Sequence, residues 1–304
     1  MAPLDPSGAR RLDAAAVDAA LRRLARAPEM PWLHGEVARR MAERLRPIRL
    51  SPRRLLDWWG GLGASAEVLR EALPKVERAS VEPGAPWAAR AARDSRRWWQ
   101  GWRPAPPSIF TDDQNDAAIG RAQLVWSNMS LHAVVDPPAL IARWHRLLDV
   151  DGVVMFSCLG PGTLRELRTL YAGLGWPAAT PDFIDMHDLG DMLVAAGFAD
   201  PVLDQETVVL RWRSAEALLA ELRTLGGNAA PDRHAGLRTP AWRRRLVDAL
   251  ASRADADGSI GMSFEIAYGH GFKAGPRIRD DEPVVVALED MRAMVRRPKA
   301  PGRP

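Results

Sequence analysis

Residues 55–63 read Leu-Leu-Asp-Trp-Trp-Gly-Gly-Leu-Gly, an apolar run that ends in an acidic residue and a cluster of glycines. The apolar run predicts a buried strand, and residues 64–73 predict the helix that follows it. In open parallel sheets, ligands bind where a strand ends and the chain turns into the next helix. Glycine lets the backbone approach a ligand closely, so Gly61 and Gly63 are candidate binding positions. Asp57 is a candidate acceptor for an amine.

A second acidic residue closes the next predicted strand, residues 75–82, at Glu82. A carboxylate in this place typically accepts hydrogen bonds from both hydroxyls of a ribose, and its spacing from Asp57 suits one strand–helix–strand step. The glycine loop alone is a weak signal, because any tight turn from strand to helix uses glycine. A P-loop is excluded because no Gly-Lys-Ser/Thr follows, whereas a dinucleotide site stays open, with Ala66 in place of its third glycine.

The rest of the chain alternates between predicted strands and helices. Strands alternating with helices predict a mostly parallel α/β sheet wound by right-handed crossovers. The proline-rich region 103–116 is expected to be an irregular crossing, and both termini are expected to fray. The further strands are predicted at 122–129, 153–158, 207–211 and 262–268, and the helices at 13–26, 33–46, 87–99, 139–148, 163–174, 186–197, 214–225 and 240–252.

Composition narrows the class of protein. Hydrophobic residues make up 47% and charged residues 26% of the 304, as in ordinary globular proteins. The net charge of +4 is small, and the basic runs have helical spacing, so we predict no nucleic-acid partner. The single Cys158 excludes an internal disulfide and fits a cytoplasmic location. No apolar run approaches the roughly 20 residues of a membrane span, so no membrane association is predicted. His34, His187 and His270 lack ligand spacing, so no metal is predicted.

More specific motifs occupy the second half of the chain. Ser-Asn-Met-Ser-Leu-His stands at 127–132, His-Arg-Leu-Leu-Asp-Val-Asp-Gly at 145–152, and Phe-Ser-Cys-Leu-Gly-Pro-Gly-Thr-Leu-Arg-Glu-Leu at 156–167. These stretches resemble motifs of the BioC-like group of class I S-adenosylmethionine (SAM) methyltransferases. A sister branch, the assembly factors of respiratory complex I, shares much of this half. Further similar segments are 32–38, 183–191, 226–229 and 262–265.

The resemblance implies a fold and a domain organisation. A class I methyltransferase has a Rossmann-like, mostly parallel sheet with flanking helices, and in this group a late helical insertion forms a lid. The methyltransferase domain is expected at 31–273, with a core at about 50–160 and the lid and last strands at about 163–273. Residues 1–30 are expected to be a flexible or helical extension, and 274–304 a basic, proline-containing tail.

The resemblance also implies an activity. BioC-like enzymes transfer a methyl group from SAM to the free carboxylate of a malonyl thioester, carried by an acyl carrier protein or by CoA, in biotin biosynthesis. His132 is the candidate for orienting the substrate, although a packing or surface role is the alternative for it. The candidate cofactor-binding residues are Asp57, Gly61, Gly63, Glu82 and Asn128. The candidates for the adenine amine are Asp112, Asp113 and Asp116, and those for the malonyl carboxylate are Arg165, Arg168 and Arg211.

Three positions depart from the family's pattern. Trp59 replaces the first glycine of its cofactor loop, Ala133 replaces a usual Trp, and 120–123 lacks a common Asp. They motivate a second hypothesis, a degenerate member that binds partners in an assembly without methyl transfer. If the enzyme has adapted, the Trp59 indole packs aside, against Trp58 or the first helix of the domain. Trp59→Gly is then expected to lower stability and leave cofactor affinity unchanged or reduced. If Trp59 instead plugs the pocket of a degenerate member, the same change is expected to open the pocket and improve cofactor binding. Trp58, Trp98, Trp99 and Trp102 are candidates for stacking on adenine or for core packing.

Overall fold

The computed structural model describes residues 12–48, 50–97 and 107–275 of the chain. The strands are β1 Arg54–Trp58, β2 Glu77–Glu82, β3 Ser108–Thr111, β4 Ala122–Ser127, β5 Leu148–Leu159, β6 Ala199–Trp212 and β7 Ile260–Phe272. The helices are α1 Ala14–Ala25, α2 Trp32–Leu45, α3 Gly60–Gly63, α4 Ala66–Ala72, α5 Ala85–Arg97, α6 Asp116–Ile119, α7 Pro137–Leu147, α8 Arg165–Gly173, α9 Met186–Ala195, α10 Ala215–Thr224 and α11 Pro240–Ala251, with a 3-10 turn at Leu131–Ala133.

The seven strands form one sheet in the order β3-β2-β1-β4-β5-β7-β6. Strands β1 to β5 run parallel, and β7 is antiparallel to both β5 and β6. Strands β2 and β3 lie on one side of β1, and the chain then returns so that β4 pairs with β1 on its other side. The strand order therefore reverses between β1 and β4, and a crevice for a ligand opens there at the carboxyl ends. The predicted mostly parallel α/β sheet is confirmed.

Strand β3 corrects the prediction of an irregular crossing at 103–116. It has only four residues, lies at the sheet edge and is partly exposed, so no apolar run or strict alternation marks it in the sequence. The neighbouring residues 101–106 lie outside the described part of the chain. Because β3 is present, the strand that ends in Ser127 is the fourth of the chain.

The two last strands are longer than predicted. β6 has 14 residues instead of the five at 207–211, and its half-buried and exposed positions largely alternate because it is an edge strand with one face towards solvent. Asp151, which precedes the strand predicted at 153–158, lies within β5 at a φ of 64°. The adjacent Gly152 keeps its backbone close to the carbonyl of Asp149, where a Cβ would lie at 2.8 Å.

Helices cover both faces of the sheet. On one face, α7, α9 and part of α1 bury apolar side chains around Leu56, Val154 and Phe156. On the other face, α2, α8, α10 and α11 pack around Leu124 and Phe264. Within the described residues, no helix is both long enough and apolar enough to span a bilayer.

The first helix is fixed to the domain by polar contacts. Asp13 caps it by accepting a hydrogen bond from the Ala16 amide at 3.0 Å. Trp87 of α5 donates its indole N–H to the Leu21 carbonyl at 3.1 Å. Arg90 donates to carbonyls just after the helix, including that of Ala27. Residues 14–25 of the predicted extension are thus helical, and they lie beside the carboxyl ends of the strands that hold the candidate site.

Candidate cofactor and substrate site

The loop after β1 brings three glycines against polar groups. A Cβ on Gly60 would lie 2.3 Å from Asp57 Oδ2, and a Cβ on Gly61 would lie 3.1 Å from Glu82 Oε2. A Cβ on Gly63 would lie 2.9 Å from the Asn128 carbonyl oxygen. The predicted glycines Gly61 and Gly63 are therefore needed for close approach of neighbouring elements. Gly60 has the same role and was not singled out from the sequence.

Asp57 at the end of β1 is fully buried and pairs with an arginine. Arg78 of β2 donates through Nε and Nη2 to Asp57 Oδ2, at 2.8 and 2.6 Å. The other oxygen, Oδ1, is buried without a hydrogen-bond partner in the described structure. Burial raises the pKa of Asp57, and the Arg78 guanidinium opposes that shift. Sequence reasoning missed Arg78, although an arginine inside a short strand beside an acidic strand end was an available signal.

Glu82 at the end of β2 has one occupied and one unpartnered oxygen. Its Oε1 accepts from the Gly61 amide at 3.0 Å and from Ser80 Oγ at 2.5 Å. Its Oε2 is buried and accepts no hydrogen bond from the described residues. A buried acceptor without a donor carries a free-energy cost that a ligand with hydroxyl groups removes. This arrangement fits the ribose of SAM.

The protonation of Glu82 makes cofactor binding depend on pH. Burial raises the pKa of Glu82 to about 7, although the Ser80 and Gly61 donors oppose the shift. Donation from two ribose hydroxyls favours the charged carboxylate, so binding below pH 7 must release a proton. We expect affinity for S-adenosylhomocysteine (SAH) to fall by up to about tenfold per pH unit as pH decreases from 7. Calorimetric titration between pH 6 and 8 measures this, and Glu82→Gln is expected to flatten the profile. An affinity that does not change over this range contradicts the assignment.

Trp59 adopts the left-handed conformation that the family's glycine position suggests, with φ 54° and ψ 42°. Its indole is 6% exposed and donates Nε1–H to Asp112 Oδ2 at 2.8 Å. Trp59 follows β1 and Asp112 follows β3, and β2 lies between those strands. The indole therefore spans the carboxyl end of β2, beside Glu82. The indole lies in the same buried cluster as Trp58, which is the packing expected for an adapted enzyme. Its polar contact, however, is with Asp112.

The structure separates the three aspartates considered for the adenine amine. Asp116 pairs with Arg143 and Arg146, at 2.7 and 3.2 Å. Asp113 is exposed. Asp112 is half-buried, and burial raises its pKa while the Trp59 indole opposes the shift. Asp112 is therefore the candidate that faces the site.

Asn128 follows β4 and uses its whole side chain within the protein. Its Nδ2 donates to the carbonyls of His34 and Gly63, at 2.8 and 2.6 Å. Its Oδ1 accepts from Ser157 Oγ at 2.7 Å. The side-chain amide thus holds the glycine loop against α2 and β5. The donors and the acceptor of this amide are engaged within the protein, and the assignment of Asn128 to the cofactor stays a prediction.

A cavity of about 670 Å³ opens beside the glycine loop. One part of its wall comes from the loop, from α2 and from the 3-10 turn after β4, through Leu62, His34 and His132. Much of the rest comes from α1, α8, α10, α11 and the turn at 226–229. The predicted lid segment and the predicted cofactor loop therefore enclose one space.

His132 lies in the wall of this cavity, as its sequence position suggested. Its Nδ1 accepts the Leu159 amide N–H at 3.5 Å, and the ring packs edge-on against Phe183. With Nδ1 as acceptor, the ring proton of the neutral form is on Nε2. Such a tautomer can donate a hydrogen bond to a carbonyl or carboxylate oxygen.

His34 is a second histidine in the cavity wall, considered from the sequence only as a metal ligand. It is 2% exposed, and its Nδ1–H donates to the Leu62 carbonyl at 2.8 Å. Burial lowers the pKa of His34 to about 4, so its ring is neutral at pH 7. Its position on the apolar face of α2, next to Leu33 and Val37, was the available signal.

The arginines proposed for the malonyl carboxylate lie elsewhere. Arg165 pairs with Glu166, Arg211 pairs with Asp255, and Arg168 donates to the Pro161 carbonyl. None of the three lines the cavity. This corrects their assignment, because the lid arginines in the wall are instead Arg223, Arg238 and Arg243, with Arg23 of α1.

The remaining candidates occupy packing or surface positions. Trp58 is buried against Trp144, and Cys158 is buried in β5. His187 hydrogen-bonds Asp185 at 2.6 Å, and His270 lies on β7. Trp98, Trp99 and Trp102 lie outside the described residues. Over the described ranges, no three histidine, cysteine, aspartate or glutamate side chains gather as a metal-binding group.

Comparison with solved structures supports the fold. The YcgJ protein of Bacillus subtilis superposes with a TM-score of 0.51 at 11% identity, over 77% of this chain and 98% of that one. A putative methyltransferase from Bacillus halodurans gives 0.51 at 13% identity, over 77% and 99%. At such identities the likeness concerns the class I methyltransferase fold alone.

Sequence comparison identifies the family. A family described as a methyltransferase domain matches residues 32–201. A malonyl-[acyl-carrier protein] O-methyltransferase of Laribacter hongkongensis is 39% identical over 254 residues, 81% of this chain and 84% of that protein. One from Gallionella capsiferriformans is 36% identical over 261 residues, 84% and 88%. The predicted resemblance is confirmed, and this chain belongs to the malonyl-[acyl-carrier protein] O-methyltransferase family of SAM-dependent enzymes.

Proposed function

We propose that this enzyme methylates the free carboxylate of a malonyl thioester on an acyl carrier protein, an early step towards biotin. The observation that carries the proposal is the cavity beside the glycine loop. Its wall contains four arginines and, among the described residues, no aspartate or glutamate. A cavity with this charge favours an anionic substrate, such as a malonyl group on a phosphate-bearing carrier arm. The names of the relatives point to the same acceptor.

The residues around the loop suit the parts of SAM. Glu82 accepts from the ribose hydroxyls, and Gly61 and Gly63 let the backbone approach the ligand. Asp112 accepts from the adenine amine once the Trp59 indole releases it. Asp57 helps to keep the Arg78 guanidinium beside the loop. The bound cofactor supplies an electrophilic methyl group on a sulfonium sulfur.

The protein's task in this reaction is mainly alignment. The acceptor carboxylate oxygen forms a bond to the methyl carbon as the carbon–sulfur bond breaks, and no proton has to move. Holding the two reactants at near-attack distance accounts for much of the acceleration in such reactions. We assign His132 to this alignment, through donation from Nε2–H to an acceptor oxygen. Apolar side chains such as Leu62, Met129 and Phe264 exclude water from the cavity.

The test is methyl transfer from labelled SAM by the purified enzyme. Malonyl-carrier protein is expected to become labelled as its methyl ester, whereas acetyl-carrier protein, which lacks the free carboxylate, is expected to stay unlabelled. Malonyl-CoA tests whether a carrier other than the protein is accepted. Tight binding of SAM without labelling of any malonyl thioester would overturn the proposal. A cytoplasmic site of action, predicted from the single cysteine, stays a prediction.

A further inference from the structure

Four arginines meet at the cavity described above, and they come from distant parts of the chain. Arg23 belongs to α1, Arg223 to the last turn of α10, Arg238 to the loop before α11 and Arg243 to α11. Arg23, Arg223 and Arg243 are exposed, and Arg238 is half-buried. Exposed side chains that also line a cavity lie at its opening, so this group marks the mouth.

The positive charge at the mouth is not neutralised by nearby acids. In the described part of the chain, none of the four forms an ion pair, whereas surface arginines such as Arg165 and Arg211 do. Arg238 lies 4.2 Å from the ring centre of Trp242. A Cβ on Gly227 would lie 3.0 Å from Arg23 Nη2, so the glycine leaves room for that guanidinium. Unneutralised arginines around one opening favour an anion with several oxygen acceptors.

This inference rests on the proposed function. We propose that Arg223, Arg238 and Arg243, together with Arg23, form a subsite for the phosphate of the phosphopantetheine arm that carries the malonyl group. An arm that enters through the mouth places its malonyl end towards the glycine loop and leaves its phosphate near the opening. Arginine is well suited to phosphate, because its planar fork donates two parallel hydrogen bonds.

The malonyl carboxylate itself is a poorer partner for this group. An arginine fork on that carboxylate draws negative charge away from the oxygens that must attack the methyl carbon. The methyl ester also loses the negative charge, so the ion pair would disappear during the reaction. A phosphate keeps its charge throughout and binds substrate and product alike, which is what an anchoring group requires.

The test compares malonyl-pantetheine with malonyl-phosphopantetheine as methyl acceptors, free of any carrier protein. For the wild-type enzyme, we expect the phosphate to raise kcat/KM by about tenfold or more. Arg243→Gln is expected to remove most of this preference, because it lowers kcat/KM for malonyl-phosphopantetheine far more than for malonyl-pantetheine, and Arg223→Gln is expected to act in the same direction. The matched control is Arg244→Gln, on the same helix and exposed but outside the cavity wall, and it should keep the preference.

Several results would overturn this subsite. They are equal kcat/KM for both substrates in the wild-type enzyme, an equal loss on both substrates in Arg243→Gln, or a loss of preference in Arg244→Gln. Calorimetry with phosphopantetheine and pantetheine provides a readout that needs no turnover. If no malonyl thioester is methylated but the phosphate still strengthens binding through Arg243, the subsite stands and the proposed reaction fails. If the phosphate has no effect on binding, the subsite fails.

Discussion

Glu82→Ala is expected to lower the affinity for SAH by about 100-fold or more. The carboxylate offers a buried, unpartnered oxygen at the end of β2, beside the glycine loop. A hydrogen bond to a charged group contributes roughly 1.5–3 kcal/mol, and a ribose presents two hydroxyl donors. Losing both therefore costs at least about 3 kcal/mol, which corresponds to a factor of about 100 or more in affinity.

Calorimetry gives the affinity, and thermal unfolding gives an independent reading, since a ligand that binds only the folded state raises the melting temperature. The wild-type protein is expected to show this rise with SAH and Glu82→Ala to lose most of it. Glu77→Ala is the matched control on the same strand, because Glu77 is exposed and pairs with Arg54 at the surface. If Glu82→Ala binds SAH as tightly as the Glu77 variant, Glu82 is not the ribose acceptor.

The sequence was sufficient to place the glycine loop and two acidic strand ends at one edge of the sheet. Parallel strands end at one edge of a sheet, so Asp57 and Glu82, each closing a predicted strand, had to lie near the same loop. The structure brings both to that edge, where the Gly61 amide of the loop donates a hydrogen bond to Glu82. These predictions depended only on local patterns and on the rule for parallel strands.

Contacts between distant segments could not be predicted in the same way. Arg78 contacts Asp57 only because of the register between β1 and β2, which sets Leu55 beside Arg78. The arginines of the cavity wall meet because α1 and two late helices close over the sheet. The spacing of these arginines along the chain does not predict that they come together. Arg165 and Arg211 were equally plausible from sequence, and both turned out to have acidic partners at the surface.

Trp59 shows how one long-range contact changes which of two expectations is favoured. From the sequence, Trp59→Gly was expected to leave cofactor affinity unchanged or reduced in an adapted enzyme, and to improve it if Trp59 plugs the pocket. The structure bonds the indole to Asp112, the aspartate that we propose for the adenine amine, and places it across the end of β2. If Asp112 has that role, cofactor binding displaces the indole. A hydrogen bond to a carboxylate of this kind contributes roughly 1.5–3 kcal/mol, which the incoming adenine has to replace.

We therefore expect Trp59→Gly to bind SAH at least about tenfold more tightly than the wild type, or about 1.4 kcal/mol. The same change is expected to destabilise the protein without ligand. Loss of a buried aromatic ring typically costs about 3–5 kcal/mol, and relief of the left-handed backbone returns only about 1–2 kcal/mol. Calorimetry measures the affinity for SAH, and thermal unfolding measures the stability. Tighter binding together with lower stability distinguishes the removal of a blocking side chain from a general loss of structure.

Trp59→Phe separates the two parts of the indole's effect. Phenylalanine keeps an aromatic ring over the end of β2 but has no N–H to donate to Asp112. If the hydrogen bond is the main barrier, Trp59→Phe binds SAH nearly as tightly as Trp59→Gly. If ring volume is the barrier, it binds like the wild type. Weaker SAH binding in both variants would mean that the indole takes a position in which it stabilises the bound cofactor. That result is expected from a loop that has adapted to tryptophan, and it would contradict the proposal that the indole blocks the site.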